Sequence, residues 1–93
     1  MNAKDLVLNI AINMGRLSRW AMEGKKERVK QFISDTQVYI DQLEDIPQND
    51  KFERTYKSFK IKFEELKNQE LSEVWAEDAL TWANILTHRA KLT

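Results

Sequence analysis

The stretch DIPQND at residues 45–50 is the only strong helix-breaking segment inside this chain of 93 residues. Pro47 cannot extend a helix because its ring clashes with the preceding turn, and it also favours an extended conformation for Ile46. The Asp and Asn side chains around it hydrogen-bond to nearby backbone groups and so favour turns. The segment therefore divides the chain into two halves of similar length, and each half has room for a helical hairpin.

The half before Pro47 has the apolar period of two amphipathic helices. The first, over about residues 4–22, places these apolar side chains on one face: Leu6, Ile10, Met14, Leu17, Trp20 and Ala21. Gly24 is suited to end this helix, because glycine readily adopts the left-handed conformation that closes helix C-termini. The second helix, over about residues 26–44, presents Val29, Phe32, Ile33, Ile40 and Leu43. Its first turn is basic, and this opposes the positive end of the helix dipole.

The half after Pro47 predicts two further helices. Asp50 is the expected N-cap of the third, with Glu53 reaching back as in a capping box. The apolar stripe of this helix is almost entirely aromatic and consists of Phe52, Tyr56, Phe59, Phe63 and Leu66. The fourth helix, over about residues 70–91, presents Leu71, Trp75, Ala79, Trp82, Ile85 and Leu86. Asn68 or Ser72 is the expected cap between the two helices.

Four helices joined by short loops predict an all-α fold, an antiparallel up-and-down four-helix bundle, in a single domain over residues 1–93. The alternative is a three-helix arrangement in which helices 1 and 2 are continuous. The apolar face turns by about 90° between these two segments, and this favours a break.

The composition argues against most enzyme classes. The chain has no cysteine and only one histidine, His88, so two-histidine metal motifs cannot form. It also lacks a glycine-rich phosphate loop, and its 15 basic residues balance 15 acidic ones. These features predict a non-enzymatic protein with no metal and no cofactor. We read no signal peptide and no membrane span at the start of the chain, so the expected location is cytoplasmic.

Several polar residues fall within the apolar stripes: Asn13, Thr36, Asp78 and Arg89. A buried charge without a partner costs several kcal/mol, so Asp78 should find a partner on another helix. The candidates are Asn13, Arg16, Arg19, Tyr39 and Tyr56. The pattern predicts a buried hydrogen-bond network that sets the helix register. A small-ligand pocket formed by Trp75, Asp78 and Trp82 is the alternative.

Helix 1 carries a second pattern outside its main stripe. Leu8, Ile12, Gly15 and Arg19 follow a spacing typical of a coiled-coil seam, and Gly15 would let another backbone approach closely. These four residues are therefore the predicted protein interface. Val38, Ile61 and Leu80 are interpreted as isolated outward apolar residues.

The charges are uneven along the chain, because residues 16–30 are mostly basic and residues 31–50 are mostly acidic. The leading hypothesis is a helical module that acts through protein–protein contacts, as a homodimer or with another protein, and without a membrane. One alternative is nucleic-acid or phosphate binding at the basic pole around residues 16–30, with Lys25, Lys26 and Arg28 as contacts. The other is the small-ligand pocket near Trp75.

Overall fold

The computed structural model describes all of residues 1–93 and is 84% helical, without strands. The helices are α1 (Ala3–Met22), α2 (Lys26–Glu44), α3 (Asp50–Asn68) and α4 (Glu73–Arg89), followed by a short 3-10 turn (Ala90–Leu92). The predicted all-α four-helix bundle is confirmed. The alternative of one continuous helix through α1 and α2 is wrong.

The break between α1 and α2 is made by backbone hydrogen bonds around Gly24. This glycine has a φ of +71°, which other residues rarely adopt. Its N–H donates to the Ala21 carbonyl at 3.1 Å, and the Lys25 N–H donates to the Trp20 carbonyl at 2.9 Å. This pair of bonds is a Schellman motif, so the chain reverses where the sequence predicts it.

Side-chain caps set the starts of α3 and α4. The Asn49 side chain accepts a hydrogen bond from the Lys51 N–H at 2.9 Å, so Asn49 caps α3 and Asp50 is its first residue. The prediction of Asp50 as the cap is therefore wrong by one position, because both residues are good caps and the extended backbone falls at Asn49. Ser72 accepts from the Trp75 N–H at 3.1 Å, and α4 consequently begins at Glu73 rather than near residue 70.

Each helix runs antiparallel to its neighbours. Contacts between α3 and α4, for example, run from Leu66 and Trp75 at one end of the bundle to Thr55 and Arg89 at the other. Other contacts that define the order are Trp20–Phe32, Glu44–Lys60 and Ser18–Ala76. The helices therefore form a ring in chain order, in which α1 lies beside both α2 and α4. The α2–α3 side of the bundle is opposite the α1–α4 side.

The two opposite sides of the bundle are packed differently. Small residues bring α1 and α4 together, and the Ser18 hydroxyl donates to the Ala76 carbonyl at 2.7 Å. The small buried residues of these two helices include Ala11, Ser18, Ala76, Ala79 and Ala83. By contrast, α2 and α3 approach each other less closely, and the aromatic stripe of α3 is buried in the centre of the bundle. The bundle is thus tight along α1–α4 and wider along α2–α3.

Long polar side chains bridge the wider side. The Tyr56 hydroxyl donates to the Glu44 carboxylate at 3.0 Å, and Lys60 Nζ lies 2.6 Å from the same oxygen. The hydrogen bond from Lys60, followed by that from Tyr56, lowers the pKa of Glu44 below its usual value of 4.5. Burial raises the pKa of Tyr56, and the hydrogen bond to Glu44 raises it further. The bridge therefore depends on an ionised Glu44.

We expect Glu44→Gln to reduce the acid sensitivity of the fold. Because the pKa of Glu44 is lower in the folded than in the unfolded chain, its contribution to stability is complete well above pH 4.5 and is lost as the pH falls through the folded pKa. Its side chain is 47% exposed, so the difference is at most about 1 kcal/mol. Thermal unfolding followed by circular dichroism at neutral pH and near pH 3 measures it.

The control is Asp35→Asn, a substitution on the same helix. Asp35 is exposed and forms no ion pair, so this change removes an equal charge without breaking a bridge. It should lose as much thermal stability in acid as the wild type. An equal effect of the two substitutions would contradict a specific contribution from the Glu44 bridge.

Candidate functional site

The predicted interface residues of α1 lie along its outward side. Ile12 is 53% exposed. Arg19 is exposed and forms no ion pair within the chain. Leu8 differs from them because it is half-buried and packs partly against the core. We call Leu8, Ile12, Gly15 and Arg19 the outer ridge.

Gly15 interrupts the outer ridge with a position that has no side chain. A Cβ atom added there would meet only the Cβ of Ala83, at 4.0 Å, which is an ordinary van der Waals distance. The chain's own packing would therefore accept alanine. Glycine inside a helix costs about 0.5–1 kcal/mol relative to alanine. The contact between α1 and α4 does not require this glycine, and its missing side chain leaves a shallow notch beside the ridge.

Leu80 of α4 is a further exposed apolar side chain. It lies one turn after Ala76 and one turn before Ala83, and both of those residues contact α1. Leu80 therefore lies on the α1 side of α4, although it is 49% exposed. Its outward position is confirmed, and its isolation from other apolar residues stays a prediction. The signal that could have placed it is the row of alanines on α4, which marks the face that packs against α1.

The charges beside this surface have opposite signs on the two helices. Arg19 is on α1, whereas Glu73 and Glu77 are exposed on α4, and none of the three is in an ion pair. The Ser18–Ala76 hydrogen bond places Arg19 at the same level along the bundle as these two carboxylates. We define the α1–α4 face as the outer ridge together with Glu73, Glu77 and Leu80.

The four polar residues expected to form a buried network do not meet. Thr36 is fully buried, but its hydroxyl donates to the Phe32 carbonyl of its own helix at 2.6 Å. Asn13 is 5% exposed, and its side chain forms no hydrogen bond within the chain. No fully enclosed side-chain nitrogen or oxygen lacks a partner, so the amide of Asn13 reaches the surface. The expectation of one shared network is therefore wrong.

Asp78 and Arg89 instead lie at the boundary between α3 and α4. The Asp78 side chain is 34% exposed and its carboxylate is 3.4 Å from Lys62 Nζ, so the prediction of an inaccessible Asp78 is wrong. Lys62 is not among the partners that the sequence predicts for Asp78. Glu65 and then Asp78 raise the pKa of Lys62 through hydrogen bonds. The guanidinium of Arg89 donates to the Thr55 hydroxyl at 2.9 Å.

Trp75 and Trp82 do not line a shared cavity. Trp75 is 2% exposed, and its Nε1 donates to the Leu66 carbonyl at 2.8 Å. The ring of Trp82 packs against Phe59, with 5.7 Å between the centroids. None of the larger clefts is lined by Asp78 or Trp82. The structure therefore does not bring Trp75, Asp78 and Trp82 around a common cavity.

The three predicted phosphate contacts at the basic pole have different surroundings. Lys25 Nζ lies 2.9 Å from the Glu23 carboxylate. The guanidinium of Arg28 lies over the ring of Trp20, 5.3 Å from its centroid. Lys26 is exposed and lines a cleft between α2 and the connection from α3 to α4. They do not converge on one point.

The chain shows neither a cluster of metal ligands nor a helix that could span a membrane. No three His, Cys, Asp or Glu side chains are grouped so that they could hold a metal ion. None of the four helices combines the length and the apolar character that crossing a membrane requires. Comparisons with protein-family models, curated proteins and solved structures give no match.

Proposed function

We propose that this protein works through protein–protein contacts and that the α1–α4 face joins two copies into a homodimer. The observation that carries the proposal is the notch at Gly15. A glycine that the fold itself does not require lies one turn after the exposed Ile12 and faces Ala83, which is one turn from the exposed Leu80. Apolar side chains around a backbone that can be approached closely are a favourable centre for a helix–helix interface.

Under two-fold symmetry, this face would pack against the same face of a second copy of the chain. If the symmetry axis runs along the bundle, α1 of one copy lies antiparallel to α4 of the other. Residues at the same level then face each other, so Arg19 of each copy meets Glu73 and Glu77 of the other. Leu80 lies within about one turn of the level of Gly15, because Ala83 is the α4 residue that faces this glycine, and we place its side chain in the notch of the second copy. Such a self-complementary contact is typical of two-fold dimers.

The alternative of nucleic-acid or phosphate binding through the basic pole has less support. The overall charge is balanced, and nucleic-acid-binding domains usually carry a concentrated positive surface. In addition, Lys25 and Arg28 already interact with Glu23 and Trp20. The cytoplasmic location stays a prediction.

Ile12→Glu is the substitution that tests the dimer. We expect the wild type to have twice the chain mass in light scattering at tens of micromolar protein. The variant should be monomeric, because enclosing an unpaired carboxylate costs several kcal/mol and so weakens association by at least about a hundredfold. Ile61→Glu is the matched control, since Ile61 is 66% exposed on α3, away from the α1–α4 face. We leave Leu8 unchanged because it packs partly against the core.

Gly15→Ala provides a second arm that separates folding from association. Alanine should raise the stability of the monomer by about 0.5–1 kcal/mol and weaken the dimer, because its methyl group occupies the notch. A wild type that stays monomeric at high micromolar concentration would refute self-association. A dimer that withstands both Ile12→Glu and Gly15→Ala would place the interface elsewhere on the bundle.

A further inference from the structure

A cleft of about 490 Å³ opens between α2 and the connection from α3 to α4. It lies on the wider side of the bundle, opposite the α1–α4 face. Its floor consists of the buried side chains of Val29, Leu66 and Trp75, and the half-buried Ile33 and Leu71 form apolar walls. The indole N–H of Trp75 is already bonded to the Leu66 carbonyl, so this ring contributes only apolar surface.

The packing of the bundle explains why the cleft is here. Small residues draw α1 and α4 together, whereas the aromatic stripe of α3 holds α2 and α3 apart. The residues of α2 that line the cleft, from Lys26 to Ile33, belong to its first turns.

The α2 wall of the cleft carries positive charge. Lys26 and Lys30 are exposed, lie one turn apart on the same side of α2 and form no ion pair. Lys67 on the other wall is held at 3.0 Å from Glu64 and also donates to Gln37. Two carboxylates line the cleft as well, Glu27 and Glu70. On the α2 wall the ammonium groups of Lys26 and Lys30 outnumber the single carboxylate of Glu27, so one anionic group can meet both of them there.

We propose that this cleft binds a small amphipathic anion. The ligand has an apolar ring or short chain that rests on Trp75, Leu66 and Val29, and one carboxylate, sulfonate or phosphate group placed between Lys26 and Lys30. The volume is within the range of about 300–1,000 Å³ that is usual for small-molecule sites, and an apolar floor is common among them. This proposal is independent of the homodimer, because none of its residues belongs to the α1–α4 face.

Two dyes with the same aromatic frame test the proposal. Anilinonaphthalene sulfonate carries the anionic group, and N-phenylnaphthylamine lacks it. We expect the folded wild type to bind one sulfonate dye per chain, with a rise in melting temperature. In the wild type, amide shifts in the NMR spectrum should then change at Val29, Leu71 and Trp75 rather than at the opposite end of the bundle. Such a pattern also excludes binding by unfolded chains.

The double variant Lys26→Gln and Lys30→Gln should lower the affinity for the sulfonate dye about tenfold. It should leave the affinity for the uncharged dye unchanged. The control, Lys4→Gln with Lys51→Gln, removes two exposed and unpaired lysines from the far end and should weaken neither dye. The proposal is overturned if the wild type binds no sulfonate dye, if both lysine pairs have the same effect, or if the shift changes fall outside the cleft.

Discussion

Trp75→Ala is expected to lower the free energy of unfolding by about 3–5 kcal/mol. The indole is 2% exposed, so its removal leaves a cavity that the surrounding helices fill only partly. The substitution also takes the hydrogen-bond donor from the Leu66 carbonyl. A domain of this size has a total stability of roughly 5–14 kcal/mol, so one side chain would account for a large share.

Urea denaturation followed by circular dichroism measures this loss. Val74→Ala is the control, because Val74 is the adjacent residue of α4 and is 64% exposed. It should change stability by less than about 0.5 kcal/mol. Similar losses for the two substitutions would show that Trp75 does not have the central place in the core that the structure gives it.

Ala79→Leu is expected to destabilise the bundle by about 1–3 kcal/mol, because it overfills a packed position, whereas Trp75→Ala empties one. Ala79 is completely buried on α4, on the tight side of the bundle. Helices α1 and α4 approach so closely near this point that a Cβ atom added at Gly15 would lie 4.0 Å from the Cβ of Ala83. A leucine therefore has no room unless the two helices move apart.

Urea denaturation again provides the measurement, and Thr81→Leu is the matched control because Thr81 is exposed two residues further along α4. Leucine at the exposed position should be nearly neutral, since leucine favours helix and meets no neighbour there. If Ala79→Leu also left the stability unchanged, α1 and α4 would not be packed as tightly as the structure has them.

Much of the fold could be predicted from local signals. Pro47 marks the middle turn because of its own ring, and Gly24 ends α1 because of its own backbone freedom. The aromatic stripe of α3 is buried throughout, as its spacing predicts. These properties belong to a residue and its near neighbours in sequence, so no knowledge of the other helices is needed.

The candidate site was predicted less completely. The outward position of Ile12 follows from its place opposite the main stripe of α1, but the contribution of Leu80 depends on which side of α4 meets α1. Sequence spacing likewise placed Asp78 in the core. A bundle helix has two flanks beside its buried stripe, and a residue on a flank can be partly exposed. Asp78 is such a residue, and its carboxylate meets Lys62 at the surface.

The sequence by itself determined that this protein is a bundle of four helices, where each begins and ends to within a few residues, and which stripe of each faces inward. These features arise from backbone preferences and the helical period, which act over a few residues. Only the tertiary structure decided that α1 and α4 pack tightly while α2 and α3 stand apart. It thereby placed Leu80 beside the outer ridge and opened the cleft above Trp75. Distances between helices depend on the volumes of side chains that meet from different parts of the chain, and a pattern within one helix does not contain them.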